Sequence, residues 1–194
     1  IEDATCPLVK RAQGVAQDLF KKGYKIIIVG EKKHPEIIGI QGCIKNRGGV
    51  IKNIWEARRL KNFPKSKSKS KLGVMAQTTQ NLEKVNEILD VLKRGAKELK
   101  FINTICPQVL SRQKELGQLL KRVDGVLVIG SPTSANTNQL VKIAQNAKKP
   151  VWLANSVEDL KKNDFKNISV LGVTSGTSTP DEVIEKMVDR LKSF

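Results

Sequence analysis

The feature that most constrains this chain is that it repeats itself. Thr5-Cys6-Pro7 is echoed by Ile105-Cys106-Pro107. From each cysteine, 24 residues lead to a glycine closing an apolar, β-branched run: Ile26–Val29 before Gly30, and Val126–Ile129 before Gly130. Leu72-Gly73-Val74 returns 99 residues later as Leu171-Gly172-Val173. Each copy runs through a hydroxyl-rich turn (Gln77-Thr78-Thr79, then Thr177-Ser178-Thr179) into a helical pattern. A period of this length is one small domain, so two copies of one α/β unit are expected, 1–98 and 99–194, with the boundary near Leu99. Strand and helix patterns alternate, which predicts two similar parallel sheets with helices on both faces. The cysteine and the hydroxyl-rich turn fall at matching strand ends, where open parallel sheets bind ligands.

Locally, residues 2–5 read as a short strand ending at Cys6, and Pro7 suits the first turn of a helix, where its missing N–H costs nothing. Leu8, Ala12, Val15, Ala16 and Leu19 recur at helical spacing, and Lys21-Lys22-Gly23 supplies a cationic end and a glycine cap. A loop through His34 and Glu36, a short helix or turn, and a strand near Val50–Asn53 follow. Thr78 and Thr79 are expected to cap the helix carrying Leu82, Val85, Leu89, Leu92 and Ala96. In the second copy a strand at Leu99–Asn103 precedes the helix after Pro107. Further strands are expected at Val151–Ala154 and Ile168–Val173. Thr179-Pro180-Asp181-Glu182 reads as a capping box, and Val183, Met187 and Leu191 as the buried face of the last helix.

Composition narrows the class. No apolar run approaches the length of a membrane span, and three cysteines in a lysine-rich chain do not make a secreted disulfide scaffold. A reducing, cytoplasmic setting is expected, with thiols kept for metal or chemistry. The chain opens at Ile1 and is expected to be part of a longer protein. A net charge of +16 admits an anionic partner. Few aromatics, a single tyrosine (Tyr24) and dispersed lysines argue against nucleic acid. The run Lys65–Lys71 reads as an exposed, low-complexity loop.

Cys6 and Cys106 each stand at a helix start, where free N–H groups and the helix dipole favour the thiolate that soft metals and iron–sulfur clusters need. Cys43 has no counterpart in the second copy and reads as an ordinary thiol. His34 and Glu36, beyond a strand end, could bind an anion and relay a proton. Ser134 and Asn136, with Thr177 and Ser178, place hydroxyl and amide donors at helix N-termini, which bind phosphate groups.

As a set these residues are recognisable. Ala4-Thr5-Cys6-Pro7-Leu8-Val9, His34-Pro35-Glu36, Gln77-Thr78-Thr79, Ile105-Cys106 with Ser111-Arg112-Gln113, Gly130-Ser131 through Ser134-Ala135-Asn136, and Gly172-Val173-Thr174 through Ser178-Thr179-Pro180-Asp181 occur in order along nearly the whole chain. The chain resembles the 4-hydroxy-3-methylbut-2-enyl diphosphate reductase family. That resemblance implies three related α/β units around a [4Fe-4S] cluster, each giving one cysteine. Cys6 and Cys106 would be two of the ligands, and a third would come from an N-terminal unit not in this sequence. It implies that His34, Ser134, Asn136 and Ser178 contact the substrate diphosphate. Glu36 would donate a proton, and Thr78 would hold the substrate hydroxyl and the proton relay. Ferredoxin or flavodoxin would be the electron donor, and isopentenyl and dimethylallyl diphosphate the products. Pro107-Gln108-Val109-Leu110 departs from the small, threonine-containing stretch usual after the last cysteine, and Ala135 stands where serine is common. The competing expectation is a non-enzymatic anion-binding protein on the same fold, without a cluster.

Overall fold

In the computed structural model, which describes residues 2–60 and 71–194, the chain divides into two compact units, Ile1–Cys106 and Pro107–Phe194. The first comprises α1 (Pro7–Lys21), β1 (Lys25–Val29), α2 (Pro35–Cys43), β2 (Gly49–Ile51), α3 (Ile54–Leu60), β3 (Lys71–Ala76), α4 (Leu82–Lys93) and β4 (Glu98–Ile102). Its strands form one parallel sheet in the order β2-β1-β3-β4. The second comprises α5 (Pro107–Leu119), β5 (Gly125–Ile129), α6 (Ala135–Asn146), β6 (Val151–Ala154), β7 (Leu171–Ser175) and α7 (Asp181–Lys192). Its parallel sheet has the order β6-β5-β7, which repeats β2-β1-β3.

The strands form where apolar runs can be buried on both faces. In the first unit, Ile26 and Ile28 of β1 and Met75 of β3 pack with Ala12, Ala16 and Leu19 of α1 and with Ile37 and Ile40 of α2. The alternate residues Ile27, Val29 and Val74 are also buried, as the two-residue period of a strand requires. In the second unit the same alternation divides β5. Val126 and Val128 pack with Leu116, Leu140 and Ala144 of α5 and α6. Leu127 and Ile129 pack with Met187 of α7. Two short 3-10 turns, Val157–Asp159 and Lys162–Phe165, lie between β6 and β7.

Several local expectations are corrected. Residues 2–6 form no strand. β4 joins the first sheet, beside β3, so the chain divides after Cys106 and not at Leu99. A lone strand has no partner for its backbone polar groups, and β3 offers an open edge to β4. β7 begins at Leu171 instead of Ile168. Asn81, not Thr79, caps α4, by accepting from the Lys84 N–H at 3.0 Å. Pro180, whose ring carries no hydrogen-bonding group, is the N-cap of α7. Thr179 donates instead to the Ile129 carbonyl at 3.2 Å. The lysine–serine run lies outside the described residues except for Lys71, which opens β3 and pairs with Glu98 at 3.2 Å.

The backbone frame at the strand ends is the same in both units. Gly30 N–H donates to Ile51 O and Gly130 N–H to Ala154 O, each at 2.9 Å. Gln77 N–H donates to Val29 O at 2.8 Å and Gly176 N–H to Ile129 O at 2.9 Å. These bonds set the loops after β1 and β3 at the same positions as those after β5 and β7.

Candidate functional site

In the first unit, the loop after β1 delivers His34 as N-cap of α2, with Pro35 and Glu36 in the first turn. His34 Nδ1 accepts from the Glu36 N–H at 3.2 Å. In the neutral imidazole that assigns the proton to Nε2, which is left as a donor. Glu36 is only 8 % exposed, yet both its carboxylate oxygens are satisfied by one residue. Oε1 accepts from the Thr78 N–H at 2.8 Å and Oε2 from Thr78 Oγ1 at 2.7 Å. The carbonyl of Thr78 accepts from the Cys106 N–H at 2.8 Å. Thr78 thus meets the acid through its hydroxyl and N–H and the backbone of the thiol-bearing residue through its carbonyl, at the carboxyl end of the sheet.

Gln77, fully buried, braces this arrangement. Its Oε1 accepts from the Glu31 N–H at 3.0 Å and its Nε2 donates to Thr79 Oγ1 at 3.1 Å, tying the loop that leads to His34 to the loop of Thr78. The sequence showed Gln77 only as the flank of two threonines. A fully buried amide whose two ends are both bonded is visible only in three dimensions.

Cys6 is exposed and is the N-cap of α1, with no side-chain cap bond. Its carbonyl accepts from Val9 and Lys10 at 2.9 and 3.1 Å. Because α1 leads into β1, its N-terminus lies toward the carboxyl end of the sheet. Ahead of it, Asp3 accepts from the Thr5 N–H at 3.0 Å and pairs with Lys10 at 2.9 Å. Hydrogen bonds from Thr5 and Lys10 hold the Asp3 carboxyl well below the usual carboxylate range. Cys43 ends α2 and so is about 10 Å along the helix from Glu36, toward the opposite end of the sheet. It lines a small cavity with Gln17, Phe20, Lys21 and Lys45. None of the three cysteines is in a disulfide.

In the second unit, Ser134 caps α6 by accepting from the Thr137 N–H at 3.3 Å, which leaves its own O–H free to donate. Asn136, 4 % exposed, brings its Nδ2 to 3.5 Å from Thr177 Oγ1, while its Oδ1 is buried with no partner. Thr177 and the following Ser178 are exposed. A Cβ built on Gly130 or Gly176 would lie 2.6 or 2.5 Å from Thr137 Oγ1, so these glycines admit the close packing that brings the loops after β5 and β7 together.

Testing the chain against an iron–sulfur cluster, the thiols of Cys6 and Cys106 are suitable donors at helix starts. Among the described residues no three His, Cys, Asp or Glu side chains gather as a metal-binding group. The donors fit in kind and fall short in number.

Fold and site together define a class: a two-unit α/β protein of parallel sheets with thiols, a buried acid–hydroxyl pair and anion-type donors at helix starts and strand ends. The chain belongs to the LytB protein family, whose model matches residues 1–192. It is 38 % identical over 194 residues to the 4-hydroxy-3-methylbut-2-enyl diphosphate reductase of Dictyoglomus thermophilum, covering all of this chain and 66 % of the relative. It is likewise 38 % identical to that of Caldanaerobacter subterraneus subsp. tengcongensis, covering 65 % of it. The chain therefore spans about two thirds of the length of these curated relatives. Among solved structures, the E-1-hydroxy-2-methyl-but-2-enyl-4-diphosphate reductase from Plasmodium falciparum superimposes with a TM-score of 0.90 at 32 % identity, over 98 % of this chain and 59 % of that one. No helix among the described residues is long and apolar enough to cross a membrane.

Proposed function

We propose that this chain is the cluster-ligating and acid-carrying part of a reductase that converts 4-hydroxy-3-methylbut-2-enyl diphosphate to isopentenyl and dimethylallyl diphosphate. The observation that carries the reading is the buried Glu36–Thr78 pair, hydrogen-bonded through Thr78 to Cys106. The domains expected from the sequence place Cys6 and His34/Glu36 in one and Cys106 and the diphosphate loops in the other; in this proposal Cys106 closes the first unit instead.

The reaction exchanges a hydroxyl for hydrogen: two electrons and two protons enter, and water leaves. A [4Fe-4S] cluster held by Cys6, Cys106 and a sulfur from outside these residues would supply the electrons and polarise the allylic hydroxyl. Glu36 gives the leaving oxygen its proton. Thr78 holds the carboxyl against rotation, so the proton is offered from a fixed atom instead of a mobile side chain. His34 Nε2–H, Ser134, Asn136 and Ser178 bind the diphosphate. An acidic one-electron carrier of the ferredoxin or flavodoxin class would match the basic chain. A reducing cytoplasm suits three cysteines outside any disulfide.

The test is anaerobic reconstitution with iron and sulfide, in this chain and in its longest natural form, followed by visible absorbance, bound iron and turnover. Cys6→Ser and Cys106→Ser are expected to lose the cluster while Cys43→Ser keeps it. Glu36→Gln should keep the cluster and abolish turnover. Unchanged iron in both Cys6→Ser and Cys106→Ser, or full turnover in Glu36→Gln, refutes the assignment.

A further inference from the structure

We propose that Thr177 is a positioning residue for anion recognition: its hydroxyl donates to the Asn136 carboxamide oxygen and so turns the Asn136 –NH2 toward the bound diphosphate. This deepens the reading that the loops after β5 and β7 take a diphosphate, and rests on it.

Three observations lead there. First, Asn136 Nδ2 lies 3.5 Å from Thr177 Oγ1 and Oδ1 is a buried acceptor without a partner. The O and N of a carboxamide exchange by a half-turn about its last bond at almost no change in shape, so the hydrogen-bond network decides which way it lies. Second, the repeat supplies the deciding comparison. Asn136 follows Glu36 by 100 residues and Thr177 follows Thr78 by 99, in loops held by the same backbone bonds. In the first unit the threonine hydroxyl is the donor, Thr78 Oγ1 to Glu36 Oε2 at 2.7 Å. The same polarity in the second unit puts Asn136 Oδ1 against Thr177. Third, that half-turn replaces the orphaned acceptor with an –NH2 donor, and diphosphate oxygens accept. Ser134, two residues earlier, has its oxygen engaged by the Thr137 N–H and its own O–H to donate. The two donors then belong to the first turn of α6, where the helix dipole also favours an anion.

The two units thus use one frame for two tasks. A threonine orients an acid in the first and an amide in the second. Nothing in the chemistry of Thr177 requires it to touch the ligand.

The experiment is calorimetric titration of the full chain with inorganic diphosphate, for the parent, Thr177→Val, Thr177→Ser, Asn136→Ala and the double variant Thr177→Val/Asn136→Ala. Valine keeps the shape of threonine and removes the donor. It is expected to weaken binding about fivefold, the scale of one net hydrogen bond, with serine within about twofold of the parent. The double variant should bind no more weakly than Asn136→Ala alone, because the threonine acts only through the amide. Parent-like affinity in Thr177→Val, or strictly additive losses in the double variant, overturns the proposal while leaving the diphosphate site standing. No binding by the parent, or binding that Asn136→Ala and Ser134→Ala leave unchanged, overturns the diphosphate reading and the proposal with it.

Discussion

Replacing Thr78 by valine tests the centre of the proposed site without altering its shape. The change removes one hydrogen bond, from Oγ1 to Glu36 Oε2 at 2.7 Å, and leaves the Thr78 N–H bond to Oε1 at 2.8 Å in place. Glu36 is 8 % exposed, so little water can replace the lost donor. A hydrogen bond to a charged group contributes about 1.5–3 kcal/mol, and the isosteric methyl adds no strain, so the first unit should lose about 2 kcal/mol of unfolding free energy. Serine restores the donor and should recover most of that. In the Glu36→Gln background the acceptor is neutral and the cost of Thr78→Val should fall to about 1 kcal/mol. Urea unfolding followed by circular dichroism gives the free energies, and hydrogen exchange at the Thr78 amide reports the site itself. A Thr78→Val protein within about 0.5 kcal/mol of the parent, with an unchanged amide, would show that the pair is not a tight, water-poor contact.

Two further perturbations probe the second unit. Gly176→Ala places a Cβ 2.5 Å from Thr137 Oγ1 and should destabilise by about 1–3 kcal/mol, with a clear part of that cost relieved when Thr137→Ala is added; urea midpoints of the three variants that show simple additivity would refute the contact. Asp159 Oδ2 accepts from the Asn155 and Ser156 N–H groups at 2.8 and 3.0 Å, and these bonds hold its carboxyl below the ordinary 3.8. A depressed folded value means that its stabilisation is complete above 3.8 and fades as pH falls through the lower folded value. Asp159→Asn should therefore flatten that part of the acid dependence of the melting temperature as pH falls below 3.8, and an unchanged profile would refute the linkage.

The strands of this fold were legible because parallel strands buried on both faces read as continuous apolar runs. Ile26–Val29 and Val126–Ile129 need no tertiary information to be recognised. What periodicity cannot say is which sheet a strand joins. The pattern of Glu98–Ile102 is compatible with either unit, and only the open edge of β3 decides. α3 was missed because seven residues with Ala57 as the buried one make no apolar stripe. Thr78 and Thr79 both qualified as caps by residue type. The helix took Asn81 instead, since Thr78 was engaged by Glu36 and Thr79 by Gln77.

The candidate site was legible to a different depth. Its residues could be picked out because the chain presents them twice, at matching distances from matching strands. Their partnerships could not, since Glu36 and Thr78 are 42 residues apart and meet only where β1 and β3 lie side by side. Comparing the two copies adds what neither shows alone. In the first unit the Glu36 carboxylate is satisfied on both oxygens by Thr78, which holds the side chain at one position. In the second the equivalent amide meets Thr177 at one terminus and has the other buried without a partner, the mismatch from which the proposed half-turn of the Asn136 carboxamide is argued. The backbone bonds that position the loops agree between the units to within about 0.1 Å in the pairs compared, so what distinguishes the two units there is the side chains: Glu against Asn, each beside a threonine.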